Sequence, residues 1–400
     1  MDSILAQMAG LLVVAMLVAL IARRLALPYT VGLVAAGMAI ASFGLHVGPD
    51  LTHDVIYLAV LPPLLFEAAL SLHWSELRRD MLPVLVLSTL GVAISALVVA
   101  GGMTLLTDWP LQAALLFGVL IAATDPVAVI ALFRDLGLEG RRVLLVESES
   151  LFNDGVAAVL FALALAWAAG PSGKAPDAVT ALLSIVAIAG GGLVTGLLVG
   201  GAVLLVAGRT TDHLVSAALT TIAAYGAFLL AESFHYSGVL ATVAAGLLIG
   251  NVAARGAREH RFFSAQERDF VTGFWEFAAF IANSFVFLMI GIAVAEAPFR
   301  QLGIGALGAA ILLVLLGRFL TVYPLCLAFR WSRWRIPLAD QHVLWWGGLR
   351  GALALALALS LPGDMPFAGE IRIAAFGVAV FSILVQGLTM PLLLRRLARR

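Results

Sequence analysis

Apolar runs of about 20 residues recur from one end of this 400-residue chain to the other, separated by short polar connections. Each run is long enough to cross the roughly 30 Å hydrocarbon core of a bilayer as a helix. No water is available there to hydrogen-bond a bare backbone, so helices, which satisfy their own amides and carbonyls, are the expected element. Hydrophobic residues make up 62% of the chain and charged residues 12%, about half the charged share of an ordinary soluble domain. The expectation is an all-α polytopic membrane protein without a soluble domain. The opening Met1-Asp2-Ser3 lacks the basic stretch of a cleaved signal peptide, so the first run is expected to remain as a span. The single Cys326 lies in an apolar run and is expected to be a packing residue.

Thirteen spans are predicted, at about 4–22, 29–45, 55–72, 82–106, 111–133, 143–169, 177–207, 213–232, 237–252, 270–295, 301–329, 341–361 and 371–394. Of the 24 basic residues, nineteen fall in connections on one side of this arrangement. Only Lys174, Arg300 and Arg372 fall on the other, and Arg318 and Arg350 lie inside spans. Positive loops stay in the cytoplasm, so the bias predicts a cytoplasmic C-terminus and an outside N-terminus. Adding or dropping one span midway would invert every later loop and erase the bias. An odd count suggests two six-helix halves of opposite orientation, residues 1–169 and 211–400, joined by a linking span within 170–210.

Spans five and twelve then correspond, and both are interrupted. The fifth carries Thr124-Asp125-Pro126 at its middle, and the twelfth carries Gly347-Gly348-Leu349-Arg350-Gly351. Pro126 removes a backbone donor and disfavours helical geometry at Asp125, while the glycines permit unwound backbone. Paired interruptions at corresponding positions point to a substrate site at the midplane. An acid in one break and a base in the other would balance the partial charges of the half-helix ends. That balance is the plainer reading of Asp125 and Arg350.

Carboxylates in the middle of the membrane cost at least ~2.5–3.5 kcal/mol each and mark ion or proton pathways by default. The sixth span carries Glu147-Ser148-Glu149-Ser150-Leu151-Phe152-Asn153-Asp154. At ~100° per residue, Ser150 and Asp154 share a face, and Glu147 lies within ~20° of Asp154 two turns away. Glu149 sits ~140° around and needs a basic partner, for which Arg318 and Arg350 are available within spans. Asp154 and the Ser150 hydroxyl suit a small hard cation, and Glu147 is either a lining of the cytoplasmic entrance or simply solvated. Glu67, in the third span, is a further buried acid. Two arginines would leave Asp154 and Asp125 unpaired. A carboxylate without a partner in apolar surroundings holds a proton more readily than one in water, so proton and cation compete for it. This is antiport chemistry.

The Thr-Asp-Pro break, Asn153-Asp154 preceded by Glu149-Ser150, the Pro62-Pro63 motif with Glu67, and Gly-Leu-Arg-Gly around Arg350 together resemble the NhaP/NHE-type sodium/proton antiporters, of the bacterial or archaeal type without a C-terminal regulatory tail. The likeness runs through the chain in span order. It implies the NhaA-like fold of inverted repeats with crossed interrupted helices, a homodimer, and elevator-like alternation of a moving core. It implies exchange of Na+ for H+, with Li+ or K+ as alternatives, in the service of pH and sodium homeostasis. Asp154 would carry ion and proton, and Asp125, Ser150 and the Thr124 main-chain carbonyl would complete the shell. Asn153 would steady the crossing, Glu149 would pair with Arg350 and Glu67 with Arg318, the exchanged pairing remaining open. The Asn-Asp pair in this family goes with electroneutral one-for-one exchange. The expected partners are the bilayer of the cell membrane, monovalent cations and protons.

No metal motif, phosphate loop or nucleotide fingerprint occurs, so neither a resident cofactor nor a nucleic-acid partner nor enzyme activity is expected. The seven histidines are not clustered at ligand spacing. Gly192, Gly196 and Gly200 form a small-residue face in the seventh span, expected to pack internally. A channel would need a filter sequence, which is not visible, and an intramembrane aspartyl protease would need a Gly-x-Gly-Asp context that neither Asp125 nor Asp154 has.

Overall fold

Each predicted span is occupied by helix in the computed structural model, which describes residues 2–25, 27–43, 52–170, 177–209, 212–256 and 264–398. Lys174, Arg258, Arg261, Arg399, Arg400, His46 and His260 lie outside the described residues. Spans one to four are α1 (Asp2–Leu25), α2 (Tyr29–Ser42), a π-helical turn (Val55–Val60) running into α3 (Leu61–Ser71), and α4 (Trp74–Leu106). The fifth is broken into α5 (Leu111–Leu120) and α6 (Val127–Asp135). Then follow α7 (Arg141–Ala169), α8 (Ala178–Ala207), α9 (His213–Ser233), α10 (Gly238–Gly256) and α11 (Ala265–Glu296). A short α12 (Phe299–Leu302) precedes α13 (Ile304–Ala328), the two parted by Gly303 at φ +80°. The twelfth span is α14 (Leu338–Trp346) and α15 (Ala352–Leu359). The thirteenth is α16 (Ala368–Phe381), a π-helical turn (Ser382–Gln386) and α17 (Gly387–Ala398).

Seven of these helical stretches are long and apolar enough to cross a membrane by length and composition, and the others are shorter apolar helices. Some of the short ones lie deep in the interior. In α15, an Ala-Leu repeat, every residue from Ala352 to Ala358 is buried, as expected of a helix apolar all round. By contrast α8 turns Val179, Leu182, Leu183 and Val186 outward, a surface suited to lipid rather than water.

Helix pairing brings distant parts of the chain together. α4 packs along α13, α2 along α11, and α10 along both α3 and α8. The α2–α11 approach is backbone on backbone, because a side chain at Gly37 would meet the Cα of Gly291 at 3.0 Å. The glycine face of α8 is used internally: Gly192 and Gly200 lie against Ser237 and Ala245 at the start and middle of α10. Small residues allow such contact where no hydrophobic effect separates helix from lipid.

Candidate ion-binding site

The two interruptions cross and close each other's loose ends. Beyond α5, the amide of Asp125 donates to the carbonyl of Leu349 at 2.8 Å, an antiparallel bridge between the breaks. The Asp125 carboxylate accepts the amide of Val127 at 2.9 Å, capping α6. From the opposite break, Arg350 Nη1 donates to the carbonyls of Ala122 and Ala123, each at 2.9 Å. Helix termini leave unpaired donors at the start and acceptors at the end. An acid therefore serves one end and a base the other. Gly351 lets the strands meet, since a Cβ there would run into the Asp125 carboxylate.

The twelfth span's break is closed from the π-helical turn of the thirteenth. Gln386 Nε2 donates to the carbonyl of Trp346 at 3.1 Å, and Ser382 Oγ accepts the amide of Arg350 at 3.0 Å. The sequence reading missed both residues. Their signal was present: two polar side chains four apart inside an apolar run.

α7 lies beside this crossing. Ser150 Oγ is within hydrogen-bond reach of the Thr124 carbonyl and lies 2.8 Å from the Thr124 hydroxyl. Asn153 Nδ2 donates to Thr124 Oγ1 at 3.2 Å and to Glu149 Oε1 at 3.4 Å. Glu149, on the other face, takes a bidentate pair from Arg318, at 2.7 and 2.9 Å. Arg318 also donates to the carbonyl of Leu344 near the end of α14, at 3.0 and 3.2 Å. Thr124, Glu149, Ser150, Asn153, Arg318 and Arg350 are all buried.

These contacts correct the expected pairings. Glu149 pairs with Arg318, not Arg350: on the face ~140° from Asp154 it is met by the long Arg318 side chain reaching over from α13. Arg350 serves main-chain carbonyls that the break would otherwise leave bare. Glu67 is not with Arg318; it lines a cavity with Asp154, Asp125 and Glu147. Two buried ion pairs were expected, and one is found among the described residues of the site.

The cavity, about 980 Å³, has Thr124, Asp125, Asp154, Gly351 and Ala352 in its lining, and it extends to the exposed Arg134, Leu136 and Arg395. Glu276, exposed, and Asn283, half-buried, both of α11, also line it. Tyr29 forms part of the wall, stacked on Phe280 and hydrogen-bonded to Ser284 at 2.6 Å. The lining thus offers carboxylate, hydroxyl and main-chain carbonyl oxygens, the donor set that hard cations prefer. No group of three or more metal-holding side chains occurs among the described residues.

Comparison with known proteins identifies the family and the fold. The family described as "Sodium/hydrogen exchanger, transmembrane" matches residues 11–396. The chain belongs to the sodium/hydrogen exchanger family. It is 39% identical over 373 residues to the Na(+)/H(+) antiporter ApNhaP of Aphanothece halophytica, covering 93% of this chain and 70% of that one. The Na(+)/H(+) antiporter NhaH of Halobacillus dabanensis is 32% identical, with 97% and 96% covered. The sodium proton antiporter MjNhaP1 of Methanocaldococcus jannaschii has a solved structure that superposes with a TM-score of 0.78 over 99% of both chains, at 22% identity, which shows the shared fold. In this member of the family, the residues brought together at the crossing are Thr124, Asp125, Ser150, Asn153 and Arg350, with Asp154 on the cavity wall. Glu67 and Glu147 stand farther along the same wall.

Proposed function

We propose that this protein exchanges Na+ for H+ across the membrane, with Asp154 as the carboxylate for which the two compete. The observation that carries the reading is the crossing of two interrupted helices at the inner end of an acid-lined cavity. The names of the relatives, which are Na(+)/H(+) antiporters, support the choice of ions. Asp125, Ser150 and the Thr124 carbonyl complete the cation shell, and Asn153 holds the Thr124 hydroxyl to the α7 surface. Glu149 and Arg318 neutralise each other and tie α7 to α13. Glu147 and Glu67 draw cations along the cavity by their negative charge.

The basic loops favour a cytoplasmic C-terminus, so the cavity through Arg134 and Arg395 is the inward-facing entrance. Residues 1–169 and 211–400 act as opposed repeats about the linking helix. The pairing of α2 with α11, matched by that of α3 with α10, supports this division. A homodimer with a moving core, working for pH and sodium homeostasis, completes the reading.

The test is sodium-driven proton movement in proteoliposomes. Asp154→Asn removes both titrating group and counter-charge and should abolish exchange in a protein that still folds. Asp364→Asn, outside the cavity, should leave the rate within about twofold. Sodium-dependent exchange persisting in Asp154→Asn would overturn the assignment.

A further inference from the structure

A second, smaller cavity of about 520 Å³ lies away from the ion site, lined by Arg78, Arg79, Asp80, Arg141, Arg333 and Trp334. Four guanidinium groups stand there against one carboxylate. That carboxylate is taken: Asp80 holds Arg141 at 2.7 Å, with Arg141 Nε also at 3.0 Å from both oxygens. Arg141 is further fastened to the carbonyls of Arg335 and Trp334, at 2.8 and 3.2 Å. Trp334 is itself fixed, its indole N–H donating to the carbonyl of Arg79 at 2.8 Å. Arg333 lies over the Trp334 ring at 4.4 Å. The side chains of Arg78, Arg79 and Arg333 pair with no carboxylate among the described residues. Three free cations are therefore held around a rigid aromatic wall that nothing in the ion pathway requires.

The surroundings indicate what occupies it. Leu82 and Leu85, which follow Arg78 on the same face of α4 at i+4 and i+7, are 44% and 40% exposed. They form an outward apolar track that begins at the cavity. Trp331, 88% exposed with Arg330 beside its ring, stands in the same loop, as aromatic residues do at the headgroup level. A soluble anion would use the arginines and leave the track bare. A phospholipid would use both.

We infer that this cavity is a binding site for the phosphate headgroup of an anionic phospholipid, its acyl chain lying along Leu82 and Leu85. Arginine forks match phosphate oxygens geometrically, and basic pockets between membrane helices suit such headgroups. The bound lipid rests on α4, on α7, which also carries Glu149, and on the connection that follows α13, the helix of Arg318.

Native mass spectrometry of the purified full-length protein tests this, with phosphatidylglycerol and phosphatidylethanolamine offered in equal amounts. The wild type should retain phosphatidylglycerol preferentially, and phosphatidylglycerol should raise its melting temperature. Replacing Arg78, Arg79 or Arg333 with Gln should weaken retention about fivefold per arginine removed. R209Q, which removes an exposed arginine outside the cavity, should leave retention unchanged. The inference fails if R78Q/R79Q/R333Q retains phosphatidylglycerol as the wild type does, or if both lipids are retained equally. It also fails if millimolar inorganic phosphate or glycerol 3-phosphate reproduces the full stabilisation, which would make the site one for a soluble anion. Should the triple variant not fold, R78Q and R333Q singly decide the matter by the same ratio.

Discussion

Glu149 and Arg318 form a buried bidentate ion pair whose members are 169 positions apart in the chain. Removing one partner strands the other, at a cost of about 3–5 kcal/mol. Glu149→Ala should therefore lower the melting temperature in detergent well below that of Asp154→Asn, whose carboxylate lies on a cavity wall. The double variant Glu149→Leu/Arg318→Met should recover part of the loss, because no charge is then left unpaired. Equal melting temperatures for Glu149→Ala and Asp154→Asn would argue that Glu149 works in transport rather than in holding helices. Arg350 presents a different case. Its guanidinium replaces missing helix turns for Ala122 and Ala123, so Arg350→Lys, with one compact ammonium in place of the fork, should fail to restore what Arg350→Ala loses. Comparing sodium-driven exchange in the two variants checks this.

At the scale of elements, the two broken helices behave as one unit closed by one residue of each break and by one outside contributor. Asp125 caps α6, Arg350 caps the end of α5, and the π-helical turn of the last span caps the end of α14. A π turn widens the helix by one residue and re-aims side chains, which lets Ser382 and Gln386 reach the break. Gln386→Leu leaves the Trp346 carbonyl without this donor and should destabilise the protein by about 1–3 kcal/mol, seen as a lowered melting temperature. Gly351→Ala places a methyl group against the Asp125 carboxylate. It should push the crossing apart and suppress exchange, whereas Gly363→Ala, with no atom within 4 Å, should be silent. Wild-type exchange in Gly351→Ala would mean that the contact between the breaks is dispensable.

For the whole molecule, the coupling ratio and the orientation are the properties at stake. On the proposed one-for-one exchange, with asparagine at 153 and Asp154 as the one titrating carboxylate of that step, one cation would leave as one proton arrives. A membrane potential, acting with about 2.3 kcal/mol per charge per 100 mV, should then leave the initial rate unchanged. Valinomycin and a potassium gradient across proteoliposomes supply the potential, after potassium itself is shown not to be carried. A voltage-dependent rate would bring a second acid, Asp125 or Glu147, into the stoichiometry. Orientation is accessible through cysteine chemistry, because the native Cys326 is buried. Ser332→Cys should react with an impermeant maleimide only from the cytoplasmic side, and Gly363→Cys only from outside. The reverse pattern would invert the topology.

What could be read from sequence is what acts over a few neighbouring residues. Transfer into lipid is decided segment by segment, so thirteen spans were legible in the apolar runs. Proline and glycine act on their own backbone, so both breaks were visible at Thr124–Pro126 and Gly347–Gly351. Helix periodicity is equally local, and it separated the Asp154 face of α7 from the Glu149 face. Partnership between remote groups is of another kind. Whether Arg318 or Arg350 meets Glu149 depends on which helices abut, and that is set by close packing such as Gly37 on Gly291 and by every main-chain carbonyl that needs a donor. Only the assembled bundle therefore sent Arg318 to Glu149, Arg350 to Ala122 and Ala123, and Glu67 to the cavity wall.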